Sequence, residues 1–173
     1  MTGSEGEGES LLPTDLVEIE LIKRLKYRYM RCLDQKLWDE LETCFLPEAT
    51  ARYGGGLYTF EGRDAIMGFL RESMGSVSML TSHRVHHPEI DLEGPSDATG
   101  TWALEDTVVL VELQMTVQGA AFYEDRYRKV DGRWRIAHTG YKRTYEELVP
   151  RSSIAGLKLT ADWWGTDGRS TLG

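Results

Sequence analysis

The chain has few cysteines, and their spacing supports neither a disulfide framework nor redox chemistry. Cys32 and Cys44 are the only two among 173 residues, and no CxxC pair occurs. We therefore expect both thiols to be reduced and packed. The sequence also lacks a run of about 18 apolar residues, which a membrane-spanning helix requires. These absences exclude a disulfide-rich scaffold and predict no helix across a membrane.

Positive charge is scarce as well. The sequence has 20 Lys and Arg against 28 Asp and Glu, which gives a formal net charge of −8. This balance argues against binding to nucleic acid or to anionic lipid. The first ten residues are acidic and rich in Gly and Ser, without the basic and apolar regions of a signal peptide. We expect a cytoplasmic protein that binds no nucleic acid and no membrane.

Signatures of nucleotide binding and of hydrolase chemistry are absent too, since no GxGxxG, P-loop or GxSxG motif occurs. Three histidines lie close together, at His83, His86 and His87. On a strand, the first and third would lie about 13 Å apart and the second would face the other way. This is not a recognised zinc pattern. We expect no metal and no cofactor.

The first half of the chain has helical periodicity. Apolar residues recur every three or four positions over residues 16–33, which predicts an amphipathic helix. Lys26 is expected on one of its more solvent-exposed sides. Asp34 follows this helix and could cap a second helix over residues 35–45. A strand over residues 48–53 and a third helix over residues 65–73 come next.

In the second half the period changes to two residues. Strands are predicted over residues 77–87, 98–113, 117–130 and 133–145, with Asp131-Gly132 as a two-residue hairpin turn. Helices followed by a meander predict an α+β fold, a cone-shaped curved antiparallel sheet covered by the N-terminal helices. The predicted divisions are a disordered tail (1–12), one domain (13–147) and a C-terminal tail (148–173). We expect the last, which carries two adjacent tryptophans, to pack on its own domain or on a neighbouring subunit.

Four polar residues fall in apolar settings, and each has a catalytic and a structural interpretation. His83 is suited to general-base work near neutral pH, or is a core histidine whose ring nitrogens are satisfied. Asp34 could orient that imidazole, or only cap a helix. Tyr29 could donate to a substrate carbonyl, or fill the core. Asp106 shares a strand face with Trp102, so it should be paired or have a raised pKa, unless a β-bulge turns it outward.

Several motifs, taken in order, resemble the SnoaL-like proteins of the NTF2-like superfamily. The resemblance covers about residues 14–147 and rests on segments 22–34, 37–41, 61–66, 82–83, 100–106, 123–127 and 131–136. It implies the same α+β cone. The family includes dehydratases that act on bile acids and on scytalone, a dehydrochlorinase, ketosteroid isomerase relatives, polyketide cyclases and non-catalytic proteins.

The resemblance also implies site residues. Tyr29, Asp34, His83 and Asp106 are similar in type and spacing to the catalytic four of the bile-acid 7α-dehydratase. The dehydrochlorinase pairs an Asp at the end of its first helix with a His, as Asp34 and His83 would. An arginine late in the last strand contributes in some members, and Arg143 could match it. Strand phase, however, puts Arg143 on the face opposite Trp134.

These arguments predict a cofactor-independent lyase of the dehydratase type, or an isomerase, acting on a hydrophobic ring-containing carbonyl compound such as a steroid or polyketide. His83 would remove a C–H proton, Asp34 would fix its tautomer, Tyr29 would bind the carbonyl oxygen, and a protonated Asp106 would assist loss of a hydroxyl group. The expected substrate-binding residues are Trp38, Phe69, Met79, Trp102 and Arg143.

Two alternatives stay open. The same cone could be a non-catalytic module that binds a small hydrophobic molecule, or a polyketide cyclase with its acid and base placed differently. In each case we expect a homo-oligomer, a dimer or trimer, with the aromatic C-terminal tail as a plausible contact.

Overall fold

The computed structural model describes residues 11–172, and the first helix, α1, runs from Pro13 to Asp34. Proline suits the first helical turn because its missing N–H would have no partner there. The backbone N–H of Leu12 donates to the Asp15 carboxylate at 2.8 Å, which fixes the start. The predicted apolar stripe is buried, but Lys26 lies within it and is fully buried too. The expectation that Lys26 faces water is therefore wrong.

The short elements after α1 differ from the prediction in their bounds. They are α2 (Trp38–Glu42), β1 (Phe45–Tyr53), a 3-10 turn (Gly54–Gly56), β2 (Tyr58–Glu61) and α3 (Arg63–Met74). Lys36 has a positive φ of 56°, so the chain turns sharply before α2 and Leu37 takes the N-cap position. Asp34 therefore does not cap α2. Strand β2 was not predicted from the sequence.

The four long strands confirm the period-two prediction with different bounds. They are β3 (Met79–Leu92), β4 (Asp97–Leu110), β5 (Met115–Val130) and β6 (Arg133–Pro150), of which β3, β5 and β6 are longer than predicted and β4 is shorter. At the β5–β6 turn, Asp131 and Gly132 have φ values of 51° and 73°. Two consecutive positive values define the tight hairpin turn that the Asp-Gly pair predicts.

All six strands form one sheet in the order β2-β1-β6-β5-β4-β3. Neighbours are antiparallel except β1 and β6, which are parallel. The inner face packs against α1 and α3 and carries most of the core. Along β5 the odd residues from 121 to 127 are buried and the even ones exposed, so the opposite, outer face is open to solvent. The predicted α+β cone is confirmed, with one parallel pair that the prediction lacked.

The segment after β6 makes contacts with its own chain. The Arg151 N–H donates to the Gln114 carbonyl oxygen at 2.8 Å, and the Trp164 ring lies 4.8 Å from Lys36 Nζ. Strand β6 continues through residue 147 to Pro150, and residues 1–10 of the predicted tail lie outside the described range. The three divisions of the chain stay predictions.

Candidate active site

The C-terminal end of α1 meets the inner face of β3 at Asp34 and His83. His83 Nδ1 lies 2.6 Å from Asp34 Oδ1, and the Thr81 hydroxyl donates to the same oxygen at 2.8 Å. The backbone N–H of His83 donates to Oδ2 at 2.9 Å. Three donors from one strand therefore fix the carboxylate and the imidazole together.

These contacts set the protonation of the pair. Burial alone would raise the pKa of Asp34, but the hydrogen bonds and charge of His83, with the Thr81 hydroxyl, outweigh it and lower that pKa below its ordinary value. Asp34 is thus an ionised acceptor, and the proton of a neutral His83 belongs on Nδ1. The second ring nitrogen, Nε2, keeps its lone pair, as in the histidine of a catalytic triad.

A second ion pair lies next to this dyad. Asp106 on β4 is the direct cross-strand partner of His83, so both side chains stand on the inner face, with Cβ atoms about 5 Å apart. Asp106 is buried, as its strand phase predicts. Arg143 donates to both of its oxygens, through Nη1 and, at 2.9 Å, through Nη2. The arginine thus engages both carboxylate oxygens, and the role expected of Asp106 in assisting loss of a hydroxyl group stays a prediction.

Arg143 faces inward because β6 contains a β-bulge. Tyr127 pairs with Ile136, whereas the adjacent Arg126 pairs with His138, so Ala137 is one extra residue on β6. One inserted residue reverses the side-chain alternation beyond it. The predicted phase, which put Arg143 on the face opposite Trp134, is therefore wrong, and His138 stands on the outer face.

Glycine makes room for the arginine. Gly119 on β5 is the cross-strand partner of Asp106, directly between β4 and β6. A Cβ at Gly119 would overlap the Tyr145 carbonyl oxygen and come within 3.3 Å of Arg143 Nη1. The guanidinium can therefore cross β5 to reach Asp106 only because position 119 has no side chain.

Tyr29 lies deeper, in an aromatic cluster rather than in the dyad's hydrogen-bond network. Its hydroxyl is 3.4 Å from that of Tyr53, and its ring is 6.5 Å from the ring of Tyr123. Tyr123 contacts Tyr141 at 5.5 Å, and Arg143 stacks on Tyr141 at 5.2 Å. Tyrosines 53, 123 and 141, which the sequence analysis did not select, thus connect Tyr29 to the Arg143–Asp106 pair.

The predicted substrate-binding residues occupy different environments. Trp38 and Phe69 are half-buried against the core, and Phe69 stacks on Tyr53 at 5.7 Å. Met79 is half-buried at the start of β3, and its carbonyl oxygen accepts a hydrogen bond from Lys36 at 3.1 Å. Trp102 is fully buried four residues before Asp106, and its indole N–H donates to another core residue. Their contact with substrate stays a prediction.

A buried ion pair between Lys26 and Asp125 was not predicted from the sequence. The two side chains have no exposed surface and their charged atoms lie 2.7 Å apart. Asp125 also accepts hydrogen bonds from Tyr127 and Thr139, both at 2.7 Å, and Lys26 Nζ lies 3.4 Å from the ring centre of Tyr123. Burial lowers the pKa of Lys26, and Asp125 opposes that effect. The signal that could have revealed this pair is the position of each residue in its element: Lys26 falls among the buried residues of α1, and Asp125 among the buried odd residues of β5.

Two negative findings apply to the described part of the chain. Among residues 11–172, no group of three or more His, Cys, Asp or Glu side chains has an arrangement that could hold a metal ion. Within the same range, no helix is long and apolar enough to cross a bilayer.

The comparisons with known proteins agree with this fold. The profile of the SnoaL-like domain matches residues 14–140. A protein assigned as a scytalone dehydratase from Novosphingobium aromaticivorans is 25% identical, with a TM-score of 0.73 over 78% of this chain and 89% of that one. A type 3 hexachlorocyclohexane dehydrochlorinase from Novosphingobium barchaimii is 16% identical, with a TM-score of 0.72 over 85% and 97%.

A third solved structure carries no functional description. It is a protein of unknown function from Mycobacterium tuberculosis, 24% identical, with a TM-score of 0.65 over 85% of this chain and 83% of that one. The dehydrochlorinase and this protein establish the fold alone. Because the domain profile spans most of the residues that form the sheet and its helices, the chain belongs to the SnoaL-like family.

Proposed function

We propose that the chain is a cofactor-independent lyase of the dehydratase type, or an isomerase, acting on a hydrophobic, ring-containing carbonyl compound such as a steroid or polyketide. The observation that carries the proposal is the 2.6 Å contact between Asp34 and His83 Nδ1, with two further donors holding the carboxylate. It leaves Nε2 as a positioned general base. The similarity to a scytalone dehydratase and to a dehydrochlorinase, both named for eliminations, supports this reaction class.

The proposed chemistry starts with proton transfer from the carbon next to the substrate carbonyl to His83 Nε2. The C–H electron pair moves toward the carbonyl oxygen and forms an enolate, while Asp34 stabilises the imidazolium. In an elimination, the enolate electrons return and expel hydroxide from the neighbouring carbon. The hydroxide takes the proton from Nε2 and leaves as water. In an isomerisation, the same proton returns to a different carbon. His83 thus takes the acid role first expected of Asp106.

Tyr29 is the proposed donor to the enolate oxygen. Burial raises the pKa of Tyr29 well above its usual value, so the phenol stays protonated at neutral pH. Its hydroxyl lies 3.4 Å from that of Tyr53, which is long for a hydrogen bond, and therefore keeps hydrogen-bonding capacity for an oxyanion. Arg143 and Asp106 would orient the substrate next to His83, and Trp38 and Phe69 would contact its ring.

The first test is solvent deuterium exchange into candidate ketones, followed by NMR, alongside turnover of 3-oxo-Δ4 steroids and hydroxy-ketones. Exchange reports proton abstraction even when no group leaves. We expect His83→Ala to lower kcat/KM by about 10²- to 10⁴-fold, the usual contribution of a general base. Asp34→Asn should also lower kcat strongly, because an amide favours the wrong tautomer.

His86→Ala is the matched control, since His86 lies on the same strand with a side chain that is 42% exposed. It should keep wild-type activity. Circular dichroism and thermal unfolding would check that each variant folds. Equal exchange and equal turnover by wild type and His83→Ala, on a substrate that the wild type converts, would exclude His83 as the base.

One observation favours a second candidate, a non-catalytic binding module. Asp106 is already engaged by Arg143 on both oxygens, which removes one acid from the interior. Under this alternative, wild type and His83→Ala would bind the same ring compounds with similar affinity, and neither would exchange deuterium or release product.

A further inference from the structure

The outer face of the sheet carries a large cleft that the proposed chemistry does not use. Its volume is about 1120 Å³, slightly above the usual range for small-molecule sites. Two cross-strand rows of side chains form its floor. The first row is Glu61, Thr50, His138, Arg126 and Thr99, and the second is Thr59, Arg52, Gly140, Glu124 and Thr101. The dyad lies on the opposite, inner face.

Gly140 places no side chain in the second row, so the row is open above its tightly packed backbone, between Arg52 and Glu124, and this opening is called the hollow. A Cβ there would lie 2.7 Å from the Arg52 carbonyl oxygen, 3.2 Å from Arg52 Cβ and 3.4 Å from His138 Nε2. The His138 ring is fixed from its other side, because Nδ1 lies 2.7 Å from the Thr50 hydroxyl. The hollow is thus bordered by an oriented imidazole nitrogen and by the stem of an arginine.

Four cationic side chains line the cleft against three acidic ones, Glu61, Glu124 and Asp125, although the whole chain has a net charge of −8. Arg52, Arg126 and Lys142 line the cleft, and within the described range none has a carboxylate oxygen at ion-pairing distance. Burial is the largest cause that lowers the pKa of His138; the charges of Arg126 and Arg52 lower it further, whereas those of Asp125 and Glu124 oppose this effect. The two arginines therefore act on the ring that borders the hollow, and their charges are available to an incoming anion.

An apolar surface adjoins this cationic group. Phe122 is 51% exposed on the outer face, and its cross-strand partner is Lys142. A large aromatic side chain left in solvent beside a polar cleft is typical of a ligand surface. The cleft thus offers an oxyanion position and, one row away, an apolar position.

We propose that this outer-face cleft binds a small organic anion, with its carboxylate or phosphate group in the Gly140 hollow between Arg52, His138 and Arg126, and its apolar part on Phe122. The shared chemistry is a planar or tetrahedral oxyanion attached to a ring or short chain. Arginine binds both kinds of oxyanion through paired N–H donors, and the His138 ring adds a third contact.

The test measures binding by calorimetry and the His138 ring signals by NMR, using benzoate, phenyl phosphate and benzylamine as probes. We expect benzoate or phenyl phosphate to bind and to shift the His138 signals, and the stronger of the two identifies the oxyanion. Benzylamine, with the same ring and opposite charge, should not bind. Arg126→Gln should weaken the anion about tenfold, as expected for one lost charged hydrogen bond.

Arg84→Gln, an exposed arginine on β3 away from the cleft, is the control and should leave affinity unchanged. His83→Ala should also bind the anion normally, which separates this site from the proposed catalytic one. Gly140→Ala should abolish binding. If Gly140→Ala does not fold, Arg126→Gln still tests the proposal. The proposal would be overturned if benzylamine bound as well as the anions, or if Arg126→Gln had no effect on affinity. It would also be overturned if the chain self-associated through a surface that covers His138 and stayed associated with saturating benzoate.

Discussion

Lys26→Met tests how α1, and with it Asp34, is held on the sheet. Methionine keeps a long apolar side chain but removes the charge, so Asp125 would stay buried with only the neutral donors Tyr127 and Thr139. Removing one partner of a buried ion pair typically costs about 3–5 kcal/mol. Because the Lys26 and Asp125 side chains have no exposed surface, we expect Lys26→Met to lower the free energy of unfolding by an amount within this range.

The assay is urea unfolding followed by tryptophan fluorescence and circular dichroism. For a chain of this size, that loss of stability corresponds to a fall in Tm of about 6–20 °C. Arg24→Met, on the same helix, is the matched control. Arg24 pairs with Glu20 at 3.2 Å, but its side chain is 70% exposed, so the change should be less than about 1 kcal/mol.

Adding Asp125→Asn to Lys26→Met removes the uncompensated charge. The double variant should therefore be more stable than the sum of the two single effects predicts, by at least about 1 kcal/mol. If Lys26→Met unfolds within about 0.5 kcal/mol of wild type, or if the two effects simply add, the ion pair does not anchor α1 and the reasoning is refuted.

Two further predictions concern titration. The pKa of Asp34 is lowered in the folded state, so its contribution to stability is complete above about pH 4 and is lost as the pH falls through the lower folded value. The difference in unfolding free energy between wild type and Asp34→Asn should shrink below about pH 4, and a constant difference would contradict the assignment. Burial raises the pKa of Cys44 to about 12 and that of Cys32 to about 11, so a thiol reagent near neutral pH should modify neither until the chain unfolds. Modification of the native protein at the rate of free cysteine would contradict this.

Periodicity predicted the parts of the fold that depend on one local rule. The apolar spacing before Asp34 predicts α1, and strict alternation places Asp106 on the inner face, as the structure has it. The resemblance in sequence motifs paired Asp34 with His83, which lie 49 positions apart in the chain. Predictions from periodicity succeed here because the periods of helices and strands are set by backbone geometry.

Features that depend on tertiary pairing could not be predicted in this way. Lys26 was assigned to water because an isolated lysine side chain prefers it, and only Asp125 from β5 makes its burial tolerable. The parallel pairing of β1 with β6 joins segments far apart in sequence, and no local pattern encodes it. The predicted face of Arg143 was wrong because strict alternation assumes a regular strand and does not account for one inserted residue.

The bulge at Ala137 makes the chemistry of the two faces of β6 interdependent. Beyond it, Arg143 reaches the inner ion pair, while His138 and Lys142 stand over the outer cleft. Removing this one residue would leave nearly the whole strand intact but exchange its faces, so that Asp106 loses its arginine and the cleft loses its imidazole together. A one-codon deletion of Ala137 would thus disrupt both proposed sites without altering any of their charged residues, and relatives that differ in length at this point need not share their chemistry.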